Sequence, residues 1–335
     1  MKIELRSDTF TKPSEAMLEA MFHAKVGDDV FEDDPTVKKL ESEMASMFGM
    51  ESGLFCASGT MSNQIAIRLH VRPQEEVICD RYSHVYLYEC GGIMANAGAS
   101  VTLLKGNRGR ISAGQVKEVI KPDNVHYPVS RLVSVENTMN KGGGSYYDFH
   151  ELEKIKGICR EHQMKFHLDG ARLFNALVET GESTQSYGAV FDTISICLSK
   201  GLGAPIGSVL LAGKKDILRA RRIRKVMGGG MRQVGYLAAA GLYALDNNVE
   251  KLKDDHRRAK ELGKALASCS WVNDVMPIDT NIVIFSVDKV EEILKKLQSR
   301  GILAVPFGAH EIRMVTHLDF TDDMLTEAVD ILEGI

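Results

Sequence analysis

Residues 166–172 read Phe166-His167-Leu168-Asp169-Gly170-Ala171-Arg172, and residues 193–201 read Thr193-Ile194-Ser195-Ile196-Cys197-Leu198-Ser199-Lys200-Gly201. Each is a short apolar run that reaches a charged residue followed by glycine, the pattern of a buried strand ending at a polar edge. Lys200 follows Asp169 by 200 − 169 = 31 residues, the length of one strand–helix–strand unit. Both side chains are then expected at the same, carboxyl edge of a parallel sheet, where open α/β proteins bind their ligands. Taken singly, Lys200 reads as well as a surface lysine in a turn, and Asp169 reads as a helix cap or turn residue. Together they favour a site.

Outward from this pair the same alternation continues. Further strand-like runs are Val77–Cys79, Val101–Leu104, Leu132–Val135 and Ser208–Leu211, with amphipathic stretches between them. Asp34-Pro35 opens a helix with Val37, Leu40, Met44 and Met47 on one face. Asp148 with Glu151 reads as a capping box opening a helix to about His162. This predicts an α/β large domain, residues 1–247 with an N-terminal arm, built on a mostly parallel sheet. Past Asn247-Asn248 the pattern changes. A charged helix from Val249 to about Ala267 leads to strands Ile282–Val287, Ile302–Val305 and Ile312–Val315 and a helix from Thr321. Residues 248–335 are therefore expected to form a smaller α+β domain, with the site in the crevice between the two.

Composition narrows the function classes. The 335 residues carry 41 Lys and Arg against 45 Asp and Glu, a net charge of −4, which argues against a dedicated nucleic-acid binder. Cys56, Cys79, Cys90, Cys159, Cys197 and Cys269 are widely spaced, with no C-x-x-C pair, so neither a zinc ribbon nor a disulfide framework is expected. No apolar run is long enough to span a membrane, and no signal peptide is expected at the start. The expectation is a soluble, cytoplasmic protein without a metal.

The chemistry rests on three features. A lysine at a strand end, beside Gly201, Gly203 and Ala204, can condense with an aldehyde. A carboxylate at the neighbouring strand end can keep a pyridine nitrogen protonated, so pyridoxal phosphate suits the pair. Ala57-Ser58-Gly59-Thr60-Met61-Ser62-Asn63 precedes a helix to about Leu69, and small residues at a helix start suit a phosphate. The segment has no P-loop lysine, and Ser-Gly-Thr also serves as an ordinary cap. The run Arg219, Arg221, Arg222, Arg224 and Lys225 reads first as a solvated helix face.

The ordered motifs Arg6-Ser7-Asp8-Thr9, Val26-Gly27-Asp28-Asp29, Ser58-Gly59-Thr60-Met61, Ser83-His84, Glu136-Asn137-Thr138, His167-Leu168-Asp169-Gly170-Ala171-Arg172, Leu198-Ser199-Lys200-Gly201-Leu202, Gly228-Gly229-Gly230-Met231-Arg232-Gln233 and Arg313-Met314-Val315-Thr316-His317 run nearly end to end. In them the chain resembles the low-specificity L-threonine aldolases, pyridoxal-phosphate enzymes of the aspartate-aminotransferase-like fold (fold type I). It departs where that family usually has Tyr-Gly-Glu-Asp-Pro and this chain has Phe31-Glu32-Asp33-Asp34-Pro35, and where Ser62 replaces the common glycine.

The resemblance implies that Lys200 carries pyridoxal 5'-phosphate, that Asp169 contacts the ring nitrogen and that His84 covers the ring face. It implies that Ser58, Gly59 and Thr60 hold the phosphate, with Lys225 and Arg232 contributing from an interface to cofactor binding. Ser7, Arg172 and Arg313 would bind the substrate carboxylate, and Arg172 would also touch the cofactor. His84 and His126 are candidate bases, as is a water held by them. The implied reaction is retro-aldol cleavage of L-threonine or L-allo-threonine to glycine and acetaldehyde, in a homo-oligomer, a tetramer of two close dimers. Rival readings are another fold type I lyase, by β-elimination or serine hydroxymethyl transfer, and a non-catalytic phosphate-binding regulator.

Overall fold

In the computed structural model, which describes residues 2–335, the alternating pattern becomes a seven-stranded sheet. Its strands are β1 Ser52–Cys56, β2 Glu75–Asp80, β3 Ser100–Leu104, β4 Val129–Glu136, β5 Lys165–Gly170, β6 Thr193–Cys197 and β7 Ser208–Ala212. The spatial order is β1-β7-β6-β5-β4-β2-β3. β7 runs antiparallel to both its neighbours, and every other pairing is parallel. All residues of β6 and β7 are buried, which is why both strands are apolar apart from Thr193, Ser195 and Ser208, whose hydroxyls find buried partners. β1 is a strand beyond those legible in the sequence. Only Leu54 and Phe55 stand out in it, too short a run to declare itself beside a glycine.

Helix Pro35–Met47 starts as its sequence implies, with Asp34 accepting the N–H groups of Thr36 and Val37 at 3.0 Å each. Helix Phe149–Glu161 is capped by Asp148, which accepts the His150 N–H. The expected capping box does not close there: Glu151 reaches across instead to accept the Ala113 N–H at 2.7 Å. The reciprocal box forms at Ser112 and Gln115, on the helix Ala113–Val119.

A second hydrophobic core is built from Ala259, Leu262, Leu266, Val283, Phe285, Leu297, Ile312, Met314 and Leu325. Over it lies an antiparallel four-stranded sheet, ordered Val305–Pro306, Glu311–Val315, Ile282–Ser286, Asp274–Val275. The expected strand Ile302–Val305 is two pieces: Ile302–Leu303 pairs with Ile3–Glu4, and only Val305–Pro306 joins this sheet. Ile3 and Leu5 are buried in the second core, so the arm's first residues pack with the C-terminal segment rather than with the large sheet. The charged helix begins at Leu252 rather than at Val249. Leu252 is buried in the core around the large sheet, with Val133, Phe166 and Ile194, and Ala259 onward in the second core, so this helix joins the two.

Candidate active site

Four strand ends converge. β2 leads through Ser83 into the short helix His84–Leu87, β4 ends in Glu136, β5 carries Asp169 just before Arg172, and Lys200 follows β6. Glu136 and Asp169 are register partners. From the other side come the arm and the strand Glu311–Val315. Ser7, His84, Arg172, Lys200 and Arg313 thereby line one cleft of about 360 Å³, with Thr9, Tyr88, Asn140, Val305, Pro306 and Phe307.

Asp169 is buried near the end of β5 and does not itself line the cleft. Its Oδ2 accepts from the Asn63 amide at 2.9 Å and its Oδ1 from the Ala171 N–H at 3.2 Å. The same Asn63 amide nitrogen donates to Glu89, while Asn63 Oδ1 lies 3.1 Å from His167 Nε2. Burial pushes His167 down to about 4, so its ring is neutral at pH 7. Asn63 Oδ1 can only accept, so it assigns the proton to Nε2, and Nδ1 takes the Thr193 hydroxyl proton at 2.9 Å. The helix Gly59–His70 thus presents two things at the cleft: its first turn, capped by Ser58, and the amide that orients Asp169.

His84 Nδ1 lies 2.9 Å from Glu89 Oε1. Burial opposes its charged form, but the Glu89 hydrogen bond and the Asp169, Glu136 and Glu89 charges outweigh burial and raise the pKa. With Nδ1–H given to Glu89, the Nε2 lone pair is left for other work. Glu136 is driven up to about 7, first by burial and then by Asp169.

The cationic wall is unequal. Arg172 gives Nε and Nη2 to the two oxygens of Asp8, 2.7 Å each, in a pair buried on both sides. Burial alone would raise the Asp8 carboxyl, but Arg172, with Lys200 and Arg313 beyond it, holds it well below the usual carboxylate range. Arg172 was expected on substrate; two of its three nitrogens are spent on Asp8. Arg313 is freer. Its Nη1 donates to Asn140 Oδ1 at 2.9 Å and its Nη2 to the Arg6 carbonyl at 3.0 Å, while Nε is buried with no partner. Burial and then the Arg172 charge pull Arg313 down to about 10. Three cations here face one carboxylate on that wall, an electrostatic invitation to an anion.

Other expected residues lie elsewhere. His126 is exposed in the loop before β4. The strand's eight residues, at about 3.3 Å each, put it roughly 25 Å from the end that carries Glu136. Within one chain it does not reach the cleft. Lys225 and Arg232 are exposed and outside the cleft lining; Arg232 pairs with Asp28 at 2.9 Å. The basic run is only partly a solvated face: Arg224 is buried, donating to the Phe55 carbonyl and to Asp29 at 2.6 Å, and Arg221 pairs with Glu41. Asn63, Glu89, Glu136, Asp8 and Asn140 had no stated role. The strand-end argument that found Asp169 applies unchanged to Glu136.

The profile of the beta-eliminating lyase family matches residues 4–290. The chain belongs to that family. It is 40% identical over 330 residues to the low specificity L-threonine aldolase of Escherichia coli K12, covering 97% of this chain and 96% of that one. It is 39% identical to a probable low-specificity L-threonine aldolase 2 of Arabidopsis thaliana, covering 96% and 93%. A threonine aldolase structure from Leishmania major superposes with a TM-score of 0.87 over 99% of both chains at 21% identity. A serine palmitoyltransferase from Sphingomonas wittichii superposes at 0.75 with 15% identity, covering 99% of this chain and 86% of that one, a likeness of fold. This lyase is thus a fold type I, pyridoxal-phosphate-dependent enzyme, with the α/β architecture expected from its strand ends.

Proposed function

We propose that the chain cleaves L-threonine, L-allo-threonine and related β-hydroxy-α-amino acids to glycine and an aldehyde. The observation that carries this is one cleft lined by both Lys200 and Arg313, with Asp169 buried near the end of β5, the strand beside the one that leads to Lys200. The residues fit pyridoxal phosphate. A Cβ on Gly59 would stand 2.5 Å from the Cys197 sulfur, so the helix start stays bare and close to the end of β6, as a phosphate cradle requires. Ser58, Gly59 and Thr60 would hold the phosphate, Asp169 the ring nitrogen, His84 the ring face and Lys200 the aldehyde carbon. When bound, the cofactor supplies an electron sink for the pair released from the substrate's Cα–Cβ bond.

The chain's own residues do the rest. Arg313, helped by the remaining Arg172 nitrogen and the Ser7 hydroxyl, forks the substrate carboxylate and fixes rotation about Cα. His84 Nε2, or a water it holds, takes the β-hydroxyl proton. The hydroxyl oxygen becomes the aldehyde oxygen as the bond breaks, and a proton returned to Cα completes glycine. Phe307 and Tyr88 flank the cleft with apolar surface, a wall for the substrate's alkyl group.

A homotetramer is part of this reading. Val125, Phe22, Val226 and Phe31 are 94%, 78%, 75% and 72% exposed, apolar side chains that neighbouring chains would cover. His126, Lys225 and Arg232 would serve a neighbouring chain's cleft. Six free thiols, five of them buried, fit a reducing compartment such as the cytoplasm. No helix among the described residues is long and apolar enough to cross a membrane.

Product analysis tests the activity. With L-threonine and added cofactor, glycine and acetaldehyde are expected in equal amounts. 2-Oxobutanoate with ammonia would mean β-elimination instead, and no turnover would leave a binding protein.

A further inference from the structure

We infer that Glu136 is a positioning residue, whose single buried carboxylate ties the segment bearing His84 to the segment that holds Arg313. This rests on the roles proposed above for His84 and Arg313. Glu136 is fully enclosed at the end of β4. Its Oε2 accepts the His84 N–H at 2.8 Å, and its Oε1 accepts the Asn140 N–H at 2.8 Å. His84 starts the helix that follows β2, and Asn140 lies on the turn closed by the Met139–Ser145 bridge. Two segments therefore hang from the two oxygens of one side chain. Asn140 extends the link, because its Oδ1 accepts from Arg313 Nη1 at 2.9 Å.

The connection reaches from His84 to Arg313, and Glu136 itself is not part of the cleft lining. Burial and Asp169 oppose the Glu136 charge, but the Asn140 and His84 N–H groups favour the ionised form, in which each oxygen accepts a charge-assisted hydrogen bond. A glutamine in its place keeps one acceptor and turns an NH₂ toward the other N–H, so one of the two segments must shift. Lines of geometry elsewhere agree that Arg313 needs such support: its ring neighbour Phe307 lies 4.8 Å from the guanidinium carbon, and its Nε has no partner of its own.

Three variants decide the matter: Glu136→Gln, Asn140→Ala and Arg313→Lys. Each is measured for KM and kcat with L-threonine, for the affinity of the cofactor-free protein for pyridoxal phosphate, and for its melting temperature. Asn140→Ala should raise KM about tenfold, the loss of one hydrogen bond to a charged group, while cofactor affinity stays near the parent value. Glu136→Gln should raise KM and also weaken cofactor binding, because it disturbs both segments. Combined with Arg313→Lys it should raise KM no further than Arg313→Lys alone. A Glu136→Gln protein that melts lower but keeps the parental KM and cofactor affinity overturns the inference, as do effects that simply multiply in the double variant. If Glu136→Gln does not fold, Asn140→Ala carries the test, and an unchanged KM there overturns it. An unchanged KM in Arg313→Lys would instead overturn the placement of Arg313, and this inference with it.

Discussion

Asp169 shows what a single residue is asked to do. It is buried, faces two N–H donors, and takes the second of them from an amide that is itself locked by His167 and Glu89. That chain of bonds fixes the direction of the carboxylate, as the proposed contact with the cofactor nitrogen requires. Asp169→Asn keeps the shape but turns an NH₂ group toward either a donor or the ring. The expected result is a loss of at least about 3 kcal/mol of transition-state stabilisation, roughly a hundredfold in kcat. The melting temperature of the cofactor-free variant should stay within a few degrees of the parent. Steady-state kinetics beside a thermal melt separate the two, and near-parental kcat would reduce Asp169 to a turn residue. At this scale the sequence was readable where a charge closed an apolar run, as at Asp169 and Lys200. It was silent on Asn63 and Glu89, because nothing local distinguishes a polar residue aimed into a site from one aimed at water. The Asp8–Arg172 pair was equally hidden: its partners lie 164 residues apart.

At the scale of elements, the helix Gly59–His70 is pinned to the sheet by hydroxyls. Ser62 bonds Ser195 on β6, Ser208 on β7 at 2.9 Å and the Gly59 carbonyl at 2.9 Å. Ser62 is one of the two departures from the family pattern, and it is fully buried. Ser62→Ala leaves the Ser195 hydroxyl short of a close partner, so stability should fall by about 1–2 kcal/mol. On the proposed placement of the phosphate at the same helix start, cofactor affinity should fall with it. Denaturant melts and a cofactor titration measure both, and a variant unchanged in either would show that the helix is held by packing alone. The other departure runs against the backbone preference. Glu32 stands where the family has glycine, at φ 57° in the left-handed region, which favours glycine there. Strands and helices with strong periodicity were legible, down to the cap at Asp34. The split of residues 302–306 between two sheets was not, because one apolar run cannot say which partner each half will find.

For the molecule as a whole, the arm, the joining helix and the small sheet meet around another buried acid. Asp255 has both carboxylate oxygens unpartnered, with Arg258 3.9 Å away. Burial raises its pKa to about 8, with repulsion from Asp8, Asp254 and Asp319 outweighed only in part by Arg258. The folded protein holds this proton more tightly than the unfolded chain, whose aspartates titrate near about 3.9. Its contribution to stability is therefore full below about pH 4 and is lost as pH rises through about 8. Asp255→Asn imitates the protonated form. It should melt only slightly above the parent near pH 5, and higher by on the order of several degrees near pH 9. A melting difference that is the same at both pH values would mean that Asp255 does not titrate as described. The strand and helix pattern after Asn247 was visible in the sequence, but the packing of Ile3 and Leu5 into the second core was not, since nothing in a short arm names its partner. The account's central claim is that the chemistry happens where these units meet the carboxyl edge of the large sheet, at Lys200. Borohydride reduction of the protein with pyridoxal phosphate, followed by peptide mapping, tests this most directly. The account predicts one pyridoxyl label per chain, on the peptide containing Lys200, and none in Lys200→Ala. A label on Lys141, Lys225 or another lysine, or a label that persists in Lys200→Ala, would contradict it.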